Sequence, residues 1–148
     1  NTPFSLLTCL NSPVRVDSTC SPKRYQMGSI SNWEYIVLNL SSASLKGAKL
    51  SGTQLSRALL SQADLRDADL SDANLSNANL SNANLCNANL SNADLTSTDL
   101  TNADLRNAKL TNANLSNADL TNADLRNTER SNANWSNAIL KDVNGLSK

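Results

Sequence analysis

Leucine recurs at every fifth position through most of the chain. From Leu40 to Leu140 this spacing gives 21 consecutive pentapeptides without a gap, and 19 of them carry Leu at the shared position. The two exceptions are Arg130 and Trp135. Two residues before the shared position the residue is nearly always Ala, and the remaining three positions are largely polar. The pattern predicts that one small and one large apolar side chain of each pentapeptide face a common interior.

A period of five fits neither an α-helix nor a flat strand. In a helix, each step of five residues turns the side chain by about 140°, so no apolar stripe would form. In a strand, an odd spacing sends successive Leu side chains to opposite faces. A chain that bends after every pentapeptide returns each Leu to one interior. Asn, Asp and Ser suit such bends, because their short side chains bond to nearby backbone groups.

The repeated unit A-(N/D)-L-(S/T/R)-(N/D), seen as ADLRD at 63–67 and ADLRN at 103–107, closely resembles the pentapeptide-repeat family. The resemblance implies an all-β fold: a right-handed quadrilateral parallel β-helix with four pentapeptides per coil and about five coils. At a strand spacing of about 4.8 Å, this solenoid would be about 25 Å tall. We therefore divide the chain into an N-terminal cap at 1–38, a β-helix at 39–140 and a C-terminal lid at 141–148.

Charge and composition exclude several functional classes. The 13 basic residues balance 13 acidic ones, so no net field attracts nucleic acid or a membrane surface. No apolar run approaches the roughly 18 residues of a membrane span. The chain contains no His, which excludes Cys-His, Ser-His and His-metal sites. We expect no enzyme, no cofactor and no metal site. The chain begins without Met, which fits a mature form that has lost a targeting segment.

If four pentapeptides form one coil, residues twenty apart share a face, and one face has its own chemistry. The candidate interaction residues of this face are Lys46, Asp64, Arg66, Cys86, Asp104, Arg106, Asp124 and Arg126. Two interpretations remain open: a ladder of exposed salt bridges that improves solubility, or a flat zwitterionic surface that docks a protein. Cys86 is interpreted as a filler equivalent to Ser, with a redox role as the alternative.

Residues 1–38 break the period and are predicted to cap the first coil, partly as helix, since an open coil exposes Leu side chains and unpaired edges. Cys9 and Cys20 lie in this segment. A disulfide between them would stabilise the cap by about 2 to 4 kcal/mol and would place the protein in a periplasm or a thylakoid lumen. The alternative is a pair of buried free thiols in a cytoplasmic protein.

The repeat weakens at the C-terminal end. Arg130 would enter the interior above Leu110, where no further coil covers its charge. The apolar residues that can cover the last coil are Trp135, Ile139, Leu140, Val143 and Leu146. They predict either an intramolecular lid on a monomer or the contact of an end-to-end homodimer.

Two functional hypotheses follow. The first is a non-enzymatic scaffold that binds an unidentified protein partner, with no nucleic acid and no membrane insertion. The alternative comes from the resemblance to gyrase-protecting proteins, which imitate duplex DNA and bind gyrase or a related topoisomerase. The zero net charge and the Arg-bearing face weigh against this alternative.

Overall fold

The computed structural model describes residues 37–146; the predicted N-terminal cap, except for its last two residues, and the Cys9–Cys20 disulfide lie outside the described residues. Parallel backbone bridges occur at every fifth residue from Asn39 to Asn144, and each joins residues twenty positions apart. Each bridge residue stands alone between turns, so residues 37–146 contain no longer strand and no helix. Every twenty residues hold four bridge positions, which gives the solenoid four walls.

The same backbone hydrogen bonds join each coil to the next. Leu45 N–H donates to the Asp64 carbonyl at 2.8 Å, and Asp64 N–H donates back to the Ala43 carbonyl at 2.9 Å. At the corner, Gly47 N–H donates to the Arg66 carbonyl at 2.8 Å. This pattern repeats up the stack, and within 37–146 every buried polar side-chain atom has a hydrogen-bond partner.

Each corner places one residue in the left-handed backbone region. The residue two positions after the central Leu has a positive φ at every corner, from 54° at Asp142 to 67° at Gly52. The following N–H closes a four-residue turn, as where Ala78 donates to the Leu75 carbonyl at 3.0 Å. A positive φ at this position favours Asn, Asp and Gly, because other residues are strained there. The polar corners of the repeat are therefore a backbone requirement.

The core consists of stacked Leu and Ala side chains. The central Leu is buried at every repeat from Leu40 to Leu125, and from Leu60 onward none of its surface is exposed. Thr98 replaces Ala in the interior, where its hydroxyl donates to the Leu75 carbonyl at 2.9 Å. Thr53 and Thr128 use the same solution, each donating to a backbone carbonyl. These substitutions therefore leave no buried hydroxyl unpaired.

The C-terminal end is built differently. The bridges continue past residue 140 as far as Asn144. Arg130 is half-buried, and its Nη1 donates at 3.2 Å to both Thr128 Oγ1 and the Gly145 carbonyl. Its charge is thus placed at the edge of the last coil rather than deep in the core.

The five apolar residues of the predicted lid fall into two groups. Trp135, Val143 and Leu146 are half-buried and pack against the core. Leu140 is 37% exposed and Ile139 is 51% exposed. Ile139 occupies the position before the central residue, where the backbone bridges to Asp119 and the side chain is directed outward. Ile139 therefore does not cover the interior.

Candidate functional site: one charged wall

One wall of the solenoid carries the stacked Asp and Arg residues. Bridges connect Ser44, Asp64, Asn84, Asp104 and Asp124 in sequence, so their positions form one column. The residues two positions further on lie beside this column and are Lys46, Arg66, Cys86, Arg106 and Arg126. We name these ten residues the charged wall. The eight candidate residues lie in or beside this column, and their role in binding a partner stays a prediction.

Each Arg of the charged wall holds the Asp two residues before it. Arg66 Nε donates to Asp64 Oδ1 at 2.8 Å, and Arg66 Nη2 donates to Asp64 Oδ2 at 2.7 Å. The Arg106 and Asp104 side chains form the same two bonds at 2.8 and 2.6 Å. The third such pair is Arg126 with Asp124. Two parallel bonds fix the plane of each guanidinium group.

Weaker contacts connect these pairs between coils. Arg106 Nε lies 4.0 Å from Asp124 Oδ2, the carboxylate of the next coil. Lys46 Nζ lies 3.9 Å from Asp67 Oδ2 at the neighbouring corner, a pair 21 residues apart that sequence reasoning missed. All five ion pairs in residues 37–146 involve the charged wall. The other three walls have none within this range.

The pairing fixes the charges of this wall near neutral pH. The hydrogen bonds from Arg66 lower the pKa of Asp64 to about 2, and those from Arg106 do the same for Asp104. The carboxylates in turn raise the pKa of both guanidinium groups. The Arg side chains remain 45% to 59% exposed. The wall therefore presents fixed, alternating charges to the solvent.

Cys86 interrupts the series of charged pairs. It is a free, half-buried cysteine whose N–H donates to Asn84 Oδ1 at 3.1 Å. Burial and a hydrogen bond to the Asp104 carboxylate raise the pKa of the thiol. A raised pKa lowers the fraction of thiolate, the reactive form, at neutral pH. The interpretation of Cys86 as a filler equivalent to Ser stays a prediction.

On the other walls, Ser or Thr takes the place of Arg in the same local arrangement. Ser81 donates to Asn79 Oδ1 through both its backbone N–H and its hydroxyl, at 2.9 and 2.7 Å. Arg66 N–H likewise donates to Asp64 Oδ1, at 3.2 Å. An Asn or Asp before the central Leu therefore braces the turn whichever residue follows. This bond explains the pattern (N/D)-L-(S/T/R).

Residues 37–146 contain no group of His, Cys, Asp and Glu side chains suited to hold a metal ion. No helix in the same range has the length and apolarity that crossing a bilayer requires.

Known proteins support the repeat assignment. The family model for pentapeptide repeats (8 copies) matches residues 39–77, 63–102, 88–127 and 118–144. Among curated proteins, no sequence is significantly similar to this chain.

Several solved structures share the fold. Rfr23, a pentapeptide repeat protein from the cyanobacterium Cyanothece 51142, is 30% identical over 70% of this chain and 84% of its own, with a TM-score of 0.69. A pentapeptide repeat protein from the Arabidopsis thaliana thylakoid lumen is 35% identical over 70% of this chain and 72% of its own, with a TM-score of 0.67.

A more distant likeness concerns the fold alone. QnrB1, a plasmid-mediated fluoroquinolone resistance protein, is 23% identical over 74% of this chain and 57% of its own, with a TM-score of 0.54. The matched repeats, the stacked Leu core and the solved relatives confirm the predicted repeat fold. This chain belongs to the pentapeptide repeat family.

Proposed function

We propose that this protein is a non-enzymatic scaffold that binds another protein through its charged wall. One observation carries the proposal: every ion pair of residues 37–146 involves this one wall out of four. Pentapeptide repeat proteins are generally structural or interaction scaffolds. The repeat also distributes its polar groups evenly along each wall, whereas catalysis requires an acid, a base or a nucleophile to converge.

The geometry of the pairs favours recognition. Each guanidinium group is already held by two hydrogen bonds, so a partner would order little additional side chain on binding. These bonds use Nε and Nη2 of Arg66 and Arg106, and Nη1 donates to no acceptor among the described residues. The wall therefore offers oriented donors to carbonyl or carboxylate oxygens of a protein surface.

The proposal includes the dimensions of the scaffold and its N-terminal end. About five coils at a spacing of about 4.8 Å give a binding wall about 25 Å tall, which spans a typical protein-binding patch. Residues 1–38 would close the first coil, as the apolar interior and the coil edge require. The partner would then contact the sides of the solenoid rather than its ends.

Charge reversal with a matched control tests the wall. Cross-linking in an extract of the source organism identifies the partner, and the affinity of the purified pair is then measured. One variant carries Arg66→Glu, Arg106→Glu and Arg126→Glu. The control carries Lys49→Glu, Lys109→Glu and Lys141→Glu, which change the same charge on other walls.

We expect the wall variant to bind at least about tenfold more weakly, because three oriented donors are replaced by carboxylates, which repel the acceptor oxygens of the partner. The control variant should bind within about twofold of the original chain. Thermal unfolding verifies that both variants are folded. Unchanged binding by the wall variant would exclude the charged wall as the docking surface, whatever the control does.

Location is proposed conditionally on the cysteines of the N-terminal segment. If Cys9 and Cys20 are bridged, the protein is extracytoplasmic, in a periplasm or a thylakoid lumen; otherwise it is cytoplasmic. The thylakoid lumen origin of one relative motivates the first case. Thiols are counted in unfolded, unreduced protein from its own source. One reactive thiol indicates a bridge, whereas three indicate a reducing compartment.

The gyrase-binding alternative is tested separately. A DNA mimic needs acidic walls, and the exposed Arg side chains of the charged wall would be repelled by a DNA-binding surface. We therefore expect no inhibition when purified gyrase supercoils DNA in the presence of micromolar protein. Inhibition at that concentration would make the alternative the better account.

A further inference from the structure

We propose that Asn144–Gly145 is a site of spontaneous deamidation, and that its isoaspartate product loosens the C-terminal end of the solenoid. The chain is rich in Asn, and only this Asn is followed by Gly. Gly has no side chain to hinder attack by its own backbone nitrogen. The surrounding structure separates this Asn from the others in two independent ways.

The first difference is the backbone N–H that follows each Asn. Deamidation begins with attack by this nitrogen, so a hydrogen bond that holds it protects the Asn. Of the 20 Asn residues in 37–146, 18 are followed by an N–H that donates within the turn or to the adjacent coil. Only Trp135 N–H and Gly145 N–H, which follow Asn134 and Asn144, have no backbone acceptor among the described residues.

The second difference is the side chain of the Asn itself. In the same position of the repeat, Asn134 Oδ1 accepts from Ser136 N–H at 3.1 Å and from the Ser136 hydroxyl at 2.7 Å. Asn134 Nδ2 also donates to Asn114 Oδ1 at 3.0 Å. The side chain of Asn144 has no hydrogen-bond partner among the described residues. The Asn134 side chain is thus held in place, whereas no residue within 37–146 holds the side chain of Asn144.

The reaction consumes only water. The Gly145 backbone nitrogen loses its proton to the solvent and attacks Asn144 Cγ. The new C–N bond forms, the Cγ–Nδ2 bond breaks, and Nδ2 takes up a proton and leaves as ammonia. Water then opens the five-membered succinimide at either carbonyl, which gives Asp or isoaspartate. Before this, Asn144 must leave its last bridge, where its N–H donates to Ala123 at 3.0 Å and its carbonyl accepts from Leu125 at 2.8 Å. Local opening of this bridge, the last among the described residues, supplies this step.

The product changes the structure at a sensitive position. Isoaspartate adds one methylene to the main chain, so the bridge between Asp124 and residue 144 loses its register. There is no room for the chain to shift inward, because a Cβ on Gly145 would lie 2.5 Å from the Arg126 nitrogen. The contact from Arg130 to the Gly145 carbonyl and the packing of Leu146 depend on this same path. The lid should therefore detach.

The test follows both amides in one digest. The full chain is incubated at mildly alkaline pH and then cleaved with trypsin, which releases residues 131–141 and 142–148 as separate peptides. The first contains Asn132, Asn134 and Asn137, so its conversion is an upper limit for Asn134, and the second contains Asn144 as its only Asn. Mass spectrometry follows the amide loss, and an isoaspartyl methyltransferase with labelled methyl donor detects isoaspartate.

We expect residues 142–148 to convert at least about tenfold faster than residues 131–141, because each hydrogen bond that must break first slows the reaction by about tenfold. The free synthetic peptide 142–148 sets the unprotected rate. Two backbone hydrogen bonds of Asn144 must break first, so conversion in the protein within about a hundredfold of that rate supports the proposal. Stronger protection overturns it, as does equal conversion of the two tryptic peptides.

A variant keeps the structural consequence testable. Asn144→Gln preserves the amide but cyclises far more slowly, so it should form no isoaspartate and should retain its lid during the same incubation. In the original chain, hydrogen exchange at the Leu125 amide should accelerate at least about tenfold after modification, because the acceptor on residue 144 is lost. Unchanged exchange in fully modified protein would refute the loosening, and isoaspartate at the original level in Asn144→Gln would refute the site.

Discussion

The left-handed corners can be tested at Asn92 and Gly52, which lie in one column. Asn92 has φ 59°, and its Oδ1 accepts from Asn112 Nδ2 at 3.1 Å. Gly52 has φ 67°, and a Cβ added there would meet nothing within 4 Å. Asn92→Ala replaces a residue that tolerates this conformation, and it also removes the hydrogen bond between the Asn112 and Asn92 side chains, which we call the ladder bond. Asn92→Gly removes only the ladder bond, and Gly52→Ala changes only the conformational term.

The structure sets the expected magnitudes. Placing Ala in the left-handed region costs about 1 to 2 kcal/mol. Gly avoids that strain but loses more entropy on folding, which costs roughly 0.5 to 1 kcal/mol. The difference between Ala and Gly should therefore be about 0.5 to 1 kcal/mol in favour of Gly. The exposed ladder bond adds about 0.5 kcal/mol to both Asn92 variants.

Urea unfolding followed by circular dichroism gives the free energy of unfolding of each variant. Asn92→Ala should be less stable than Asn92→Gly by the same amount that Gly52→Ala is less stable than the original chain. The two differences should agree within about 0.5 kcal/mol, because the sites lie two coils apart and share no partner. The reasoning is refuted if Gly52→Ala is neutral or stabilising, since Ala would then tolerate the corner conformation.

Three further predictions concern the core, the charged wall and the thiol. Leu85→Ala should lower the free energy of unfolding in urea by about 2 to 5 kcal/mol, whereas Leu140→Ala, at a 37% exposed position, should cost less than about 1 kcal/mol; equal losses would contradict the described interior. The pKa of Asp104 is lowered from 3.8 to about 2 in the fold. The unfolded chain therefore binds more protons in this range, and stability should fall as the pH drops from about 4 to about 2. Asp104→Asn should weaken that dependence in acid unfolding curves, and an unchanged slope would contradict the assignment. Because burial raises the pKa of the Cys86 thiol, maleimide should modify it more slowly in folded than in unfolded protein at neutral pH, and equal rates would oppose this account.

The buried side chains and the four walls could be predicted because the same pattern recurs in 21 consecutive pentapeptides. The spacing of Leu identifies the buried side chain, and the register of twenty places Asp64 in one column with Asp104 and Asp124. Composition alone separates the charged wall from the other three. In such a solenoid, contacts join near neighbours in a fixed register, so sequence position translates directly into spatial position.

The remaining features depend on local geometry that a repeat does not encode. Lys46 on the wall pairs with Asp67 at a corner, 21 residues later, so this contact does not follow the spacing of twenty that joins the columns. The repeat alone does not show that Asn or Asp before the central Leu binds the N–H two residues later, because that bond needs the actual turn. At the C-terminal end, apolar character suggested that Ile139 covers the core, but its position in the repeat directs it outward.

The register of twenty also governs how this protein can change in length during evolution. A deletion of residues 77–96 would remove one whole coil and place Asp104 directly above Asp64, so the charged pairs would become contiguous and every later residue would stay on its wall. A deletion of five residues within that coil would instead rotate all later repeats by one wall, and Arg106 would no longer share a face with Arg66. Height can therefore vary in steps of one coil while the surface pattern is inherited, whereas loss of a single pentapeptide creates a new surface on an unchanged core.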